Sequence, residues 1–170
     1  MERNKTWTLC NFLPEGEKAL FTKWVFKIKS LENGEQLHKA RLVARGFEQE
    51  ENCFDIFDVY APVTKLNTFR VLIAVAAKFD LEITQMDVCS AFLYSEIGEE
   101  VYLKIPEGLK VKDGNKYCKL NKAIYGLKKA PKYWNETLDR VLCAEGYMKS
   151  RFDSCLYYKC KDGKRNYILV

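Results

Sequence analysis

Asp87 stands in the stretch ITQMDVCSAF, residues 83–92, where every neighbour is uncharged. An ionised carboxylate drawn out of water is costly unless it is paired, hydrogen-bonded or bound to a metal. The other residues able to do chemistry are mainly basic. Lys and Arg number 28 against 23 Asp and Glu, a net charge of +5. That total is modest, but it is concentrated in residues 23–45 and 119–132. Local clusters of this kind set up anion-attracting fields. Thiol chemistry has less support. The seven cysteines (10, 53, 89, 118, 143, 155 and 160) are irregularly spaced and include no C-x-x-C pair. That pattern argues against a disulfide framework and a structural zinc site. The single His38 adds little as a ligand.

The elements that must position these residues follow from periodicity and turn chemistry. KWVFKIKSLENGEQLHKARLVARG reads as a β-hairpin turning at Asn33-Gly34. A two-residue loop would pair Lys29 with His38. A three-residue loop, Glu32-Asn33-Gly34 with a left-handed Gly34, pairs Leu31 with Glu35 and Lys27 with Lys39. The second register gathers Lys23, Lys27, Lys29, Lys39, Arg41 and Arg45 on one face. It places Trp24, Phe26, Ile28, Ala40, Leu42 and Ala44 on an apolar core face, and is preferred for that separation. Like charges across a ladder repel. So basic a face suits either a covering polyanion or a solvated hairpin whose lysines blunt its edges.

NTFRVLIAVAAKFD is expected to be a helix capped by Asn67 or Thr68, burying Phe69, Leu72, Ile73, Ala76 and Ala77. LEITQMDV and EEVYLKI read as strands. Ala130–Glu145 reads as a helix with Pro131 in its first turn, Gly146 past its end, and a buried stripe of Trp134, Leu138, Val141 and Leu142. CLYYKCKDGKRNYILV forms a second hairpin around Asp162-Gly163. Strands and helices without regular βαβ alternation indicate an α+β fold.

At 170 residues, 48% hydrophobic and 30% charged, the chain suits one domain or two small lobes with a real core. No apolar run approaches the roughly 20 residues needed to span a bilayer. MERNKTWTL lacks a signal-peptide apolar region. An intracellular protein is expected, cytoplasmic or nuclear, with no membrane partner.

The blocks KWVFKIK, HKARLVARGF, APVTK, QMDVCSAFLYSEIGEEVYLKIPEG and LNKAIYGLKKAPKYW occur in this order. The series closely resembles the reverse transcriptase of copia-type retrotransposons, part of an integrase-bearing polyprotein. The likeness runs from Thr6 to Val170. It implies a partial right-hand polymerase: a basic fingers β-hairpin and an antiparallel palm sheet backed by helices. Fingers would cover about 1–61 and 95–123, and palm about 62–94 and 124–170.

The resemblance implies Mg²⁺ as cofactor, with Asp87 as catalytic carboxylate and metal ligand and the Val88 carbonyl as a backbone ligand. It implies that Lys39 and Arg41 grip the nucleotide triphosphate, with Lys29 or Lys27 supplying a second cation. Phe92 would lie below the sugar and exclude a 2′-hydroxyl; the plainer reading of Phe92 is a core residue. Tyr125-Gly126 would lie beside the nucleotide and template base. Partners would be an RNA or DNA template-primer, dNTPs and the rest of the polyprotein, including integrase and RNase H. Lys65 reads as a helix-entry residue.

The family's two remaining aspartates lie in a Tyr-x-Asp-Asp turn after a strand like NYILV, where this sequence ends. They are therefore expected to be missing. None of Glu82, Glu96, Glu99, Glu100, Asp153 or Asp162 has the geometry to replace them. Lys129, where the family more often shows Gln, and FLYS at 92–95 depart from the family pattern. Beside a transposon-derived open reading frame with no selected function, two readings result. One is a fragment of an RNA-directed DNA polymerase, inactive alone. The other is a non-catalytic nucleic-acid-binding remnant.

Overall fold

A computed structural model of the chain describes residues 1–31, 33–49, 59–111 and 114–170; Glu32 in the expected turn and Cys53 lie outside them. The fold is mixed α+β, and the chain divides into two compact units. The first comprises Met1–Tyr60 and Ser90–Trp134, the second Ala61–Cys89 and Asn135–Val170.

The first unit is built on short strands rich in apolar residues. Strands β1 (Trp7–Cys10), β2 (Ala19–Leu20), β5 (Tyr102–Lys104) and β6 (Tyr117–Leu120) form a sheet in the order β1-β6-β5-β2. All its pairs are antiparallel except β2 with β5. Val101, Leu103, Cys118, Leu120, Ala123 and Ile124 are buried together with Leu127 and Ala130. This cluster is the unit's core. Burial pushes the Cys118 thiol up to about 11, with nearby Cys10 adding to the effect.

Strands β3 (Thr22–Ser30) and β4 (Gln36–Ala44) make the basic hairpin. Its register is the three-residue one: Lys27 lies opposite Lys39, and the Leu31 N–H donates to the Glu35 carbonyl at 2.8 Å. Gly34 is left-handed at φ 83°, as that turn requires. The expected core face is corrected, however. Leu42 and Ala44 are buried at its base, whereas Phe26 is 74% exposed and Ile28 and Ala40 are also open to solvent. Among the described residues this face is covered mainly at its base, where Trp24 Nε1–H also donates to the Glu107 carbonyl at 3.0 Å.

The second unit contains α1 (Leu66–Phe79), most of α2 (Ala130–Ala144) and a sheet in the order β7-β8-β9. These strands are Met148–Lys149, Leu156–Lys161 and Lys164–Leu169, paired antiparallel. The β8–β9 turn is Asp162-Gly163, both left-handed.

Helix α1 begins two or three residues earlier than caps at Asn67 or Thr68 would place it. Its N-cap is Lys65, with no side-chain cap from Asn67 or Thr68. Capping comes from a distant carboxylate instead: Asp153 Oδ2 accepts the Lys65 N–H at 3.1 Å. Its apolar face is less covered than its periodicity implies: Ala76 is buried, while Phe69, Ile73 and Ala77 are exposed. In α2 the stripe is half-buried at Trp134, Leu138 and Leu142, but Val141 is exposed.

Leu81–Val88 is also corrected. It contains no strand, and all of it after Leu81 is exposed. Apolar β-formers do not make a strand without a neighbour to take their backbone hydrogen bonds. Among the described residues no helix is long and apolar enough to cross a membrane.

Candidate functional site

Within the first unit the end of β4 meets the turn that precedes α2. The Ala44 N–H donates to the Tyr125 carbonyl at 2.8 Å, and Val43 and Tyr125 form a parallel bridge. Two glycines permit the approach. A Cβ on Gly126, which is left-handed at φ +90°, would lie 2.1 Å from the Ala44 carbonyl oxygen. A Cβ on Gly46 would lie 1.9 Å from the Gly126 carbonyl oxygen. Neither position tolerates a side chain without moving backbone.

This junction sets three side chains side by side. The Arg41 guanidinium lies 5.5 Å from the centroid of the Tyr125 ring. The Phe92 ring lies 4.7 Å from the same ring, edge to face at 72°. Phe92 belongs to a short 3-10 helix, Ala91–Tyr94, and also packs on the unit's core. The core packing expected of Phe92 is present, and the same ring also meets Tyr125.

The lysines are placed differently. Lys39 occupies the same-face position just before Arg41 in β4, toward the hairpin tip. Lys29 pairs with Leu37, four residues along β3 from Val25, the partner of Arg41. At about 3.3 Å per residue that is roughly 13 Å toward the hairpin tip. The structure thus gathers Arg41, Phe92, Tyr125 and Gly126, with Lys39 adjacent and Lys29 remote. Lys129 has a local partner, its Nζ lying 2.9 Å from Glu99 Oε2 in a half-buried pair. That pairing gives a physical reason for lysine at this position.

Sequence reasoning missed two contributors here: Gly46, and Gln49, whose Oε1 accepts the Lys128 backbone N–H at 3.0 Å. They sit in the quoted ARGF block and just beyond it, and the only signal was a glycine directly after a strand.

Asp87 and Val88 belong to the second unit and are exposed. Among the described residues no three His, Cys, Asp or Glu side chains are grouped to hold a metal. The carboxylates that are held in this unit are structural ones. Asp153, expected at a strand or turn edge, is buried, and it accepts the N–H groups of Lys65 and Cys155 at 3.1 and 2.9 Å. A hydrogen bond from the Thr68 hydroxyl, followed by those backbone bonds, holds its carboxyl below the usual range. Asp139 accepts from the Tyr157 hydroxyl and pairs with Lys149 Nζ, both at 2.7 Å. Lys149 first and Tyr157 second lower the Asp139 carboxyl.

Residues 4–170 match the family described as reverse transcriptase (RNA-dependent DNA polymerase). The chain belongs to that family. It is 39% identical over its whole length to a retrovirus-related Pol polyprotein from transposon TNT 1-94 of Nicotiana tabacum, and covers 13% of that protein. Over 98% of its length it is 36% and 35% identical to the Pol polyproteins of transposons RE2 and RE1 of Arabidopsis thaliana, covering 12% of each. This reverse transcriptase chain therefore spans about an eighth of the length of these curated relatives. No solved structure matches it.

Proposed function

We propose that this chain supplies nucleotide- and template-holding surfaces of an RNA-directed DNA polymerase encoded by a copia-type retrotransposon. The observation that supports it is the meeting of Arg41, Phe92 and Tyr125, drawn from three separated stretches, around one glycine-built junction.

Each residue has a role its chemistry suits. Arg41 is charged at any working pH, and its planar fork matches phosphate oxygens. Tyr125 lies against the guanidinium and limits where it points, a contact worth about 0.5–1 kcal/mol when exposed. Phe92 is braced by Tyr125 and by the core. A ring held so firmly discriminates between sugars by sterics, favouring the deoxy form. Gly126, having no side chain, lets the Tyr125 turn lie directly on β4 beside the proposed nucleotide. Lys39, with Lys27 opposite it and Lys29 farther along, extends positive potential along the hairpin for template phosphates. Fingers at about 1–61 and 95–123, and palm at about 62–94 and 124–170, remain the assignment that goes with these roles.

The Asp87 carboxylate and the Val88 carbonyl are exposed hard-oxygen donors, which suit Mg²⁺ by type. They are too few for its six-fold shell, so phosphate, water and further carboxylates must complete it. Bound there, the metal would neutralise phosphate charge during nucleotidyl transfer. The working assembly is a longer Pol polyprotein with integrase and RNase H, acting on an RNA or DNA template-primer and dNTPs.

Primer extension tests this reading, using the tobacco Pol polyprotein with this chain in place of its own segment. Arg41→Ala is expected to raise the KM for dNTPs by about tenfold or more, the loss of a charge-assisted hydrogen bond. An unchanged KM in a folded, active Arg41→Ala protein contradicts the assignment.

A further inference from the structure

Tyr125 faces Arg41 and Phe92 only if the turn from Tyr125 to Lys128 keeps its shape. Gly126 is left-handed there, and within the turn the closest backbone bond, Leu127 N–H to Ile124 O, is long at 3.5 Å. The turn is weakly self-supporting and is held from outside. On one side the Ala44 N–H donates to the Tyr125 carbonyl at 2.8 Å. On the other, the chain leaves β4 through a 3-10 turn, Gly46–Glu48, and passes back over Gly126. Gln49 then closes the loop. Its Oε1 accepts the Lys128 backbone N–H at 3.0 Å, and its own carbonyl accepts Lys128 Nζ at 2.9 Å.

We infer that Gln49 is a positioning residue for the nucleotide-facing turn, clasping Lys128 so that Tyr125 stays against Arg41 and Phe92. The inference rests on the nucleotide role proposed for those three residues and extends it to a residue outside that set. Gly46 lets the clasp close, because any side chain there would displace the Gly126 carbonyl by which the two segments touch. The carboxamide oxygen is the functional atom. A residue at 49 with an acceptor at the same reach preserves the clasp, and an apolar residue of similar length does not.

The test uses the 170-residue chain in three forms: wild type, Gln49→Met and Gln49→Glu. Each is titrated with dGTP and Mg²⁺ while amide and aromatic NMR signals are followed. Gln49→Met keeps the side-chain length and removes the acceptor. It should speed hydrogen exchange at the Lys128 amide, shift the Tyr125 ring signals, and weaken dGTP binding about five- to tenfold, as for one lost hydrogen bond. Gln49→Glu keeps an acceptor oxygen and should restore both signals and affinity.

Unchanged Lys128 exchange in Gln49→Met overturns the clasp. A loosened turn with unchanged dGTP affinity, in a chain whose affinity still depends on Arg41, overturns the positioning role while leaving the nucleotide reading intact. If neither Gln49→Met nor Arg41→Ala alters dGTP binding, the nucleotide reading fails and this inference falls with it.

Discussion

In the first unit Leu103, Cys118, Ala123 and Ile124 expose no surface at all, whereas in the second Phe69 is 49% and Met86 82% exposed. The first unit has a four-stranded sheet whose inner residues are closed over by the turn before α2. The second relies on fewer buried residues (Ala76, Cys155 and Tyr157) and on two carboxylates that tie its elements together. Asp153 joins the loop before β8 to the start of α1, and Asp139 joins α2 to β7 and β8. The contrast separates two ways of holding functional groups. Arg41, Phe92 and Tyr125 stand on a packed scaffold, while Asp87 stands on an exposed segment after a thinly covered helix.

The largest expected break in this contrast is Gly126→Ala. The new methyl must displace the Ala44 carbonyl and sit on a left-handed backbone, so a loss of about 3 kcal/mol or more is expected by denaturant unfolding. A loss below about 1 kcal/mol would mean that the glycine junction does not hold the first unit.

Core truncation comes next. Leu103→Ala should cost about 2–5 kcal/mol, as for fully buried leucines. Phe69→Ala should cost less than about 1.5 kcal/mol, since half its surface already meets water. Equal losses in the two variants would erase the distinction between the units.

Acid should act the other way round. Asp153 and Asp139 have carboxyls lowered by their partners. Their stabilising contribution is present above the unfolded carboxylate value of about 3.9 and is lost as pH falls through the lower folded values. Signals of the second unit should therefore lose their folded dispersion below about pH 4 before those of the first. Glu100 in the first unit is also lowered, chiefly by Lys119, but that pair is exposed and contributes little. Loss of the first unit's signals at higher pH than the second's would reverse the account.

What the sequence made legible follows the same division. The Asn33-Gly34 signal and the separation of basic from apolar residues were enough to find the β3–β4 register, because side-chain alternation punishes a one-residue slip. Pro131 and Gly146 bracketed α2 for similarly local reasons. Leu81–Val88 failed as a strand because pairing is a property of two segments, and its own residues carry no record of whether a partner is present. The cap of α1 was misread because the capping carboxylate, Asp153, lies far along the chain. Around the candidate site, Arg41, Phe92 and Tyr125 were named from family resemblance. Their contact through Gly46 and Gly126, and the Gln49 clasp, are close approaches of backbone that no single stretch displays.

The nucleotide-facing assignment is tested most directly by titrating the chain with dGTP and Mg²⁺ while following the Arg41 Nε–H, Tyr125 ring and Phe92 ring signals. The account predicts saturable shifts at all three in the wild type and loss of the Tyr125 and Phe92 ring shifts in Arg41→Ala. Shifts confined to the second unit, or identical titrations for wild type and Arg41→Ala, would contradict it.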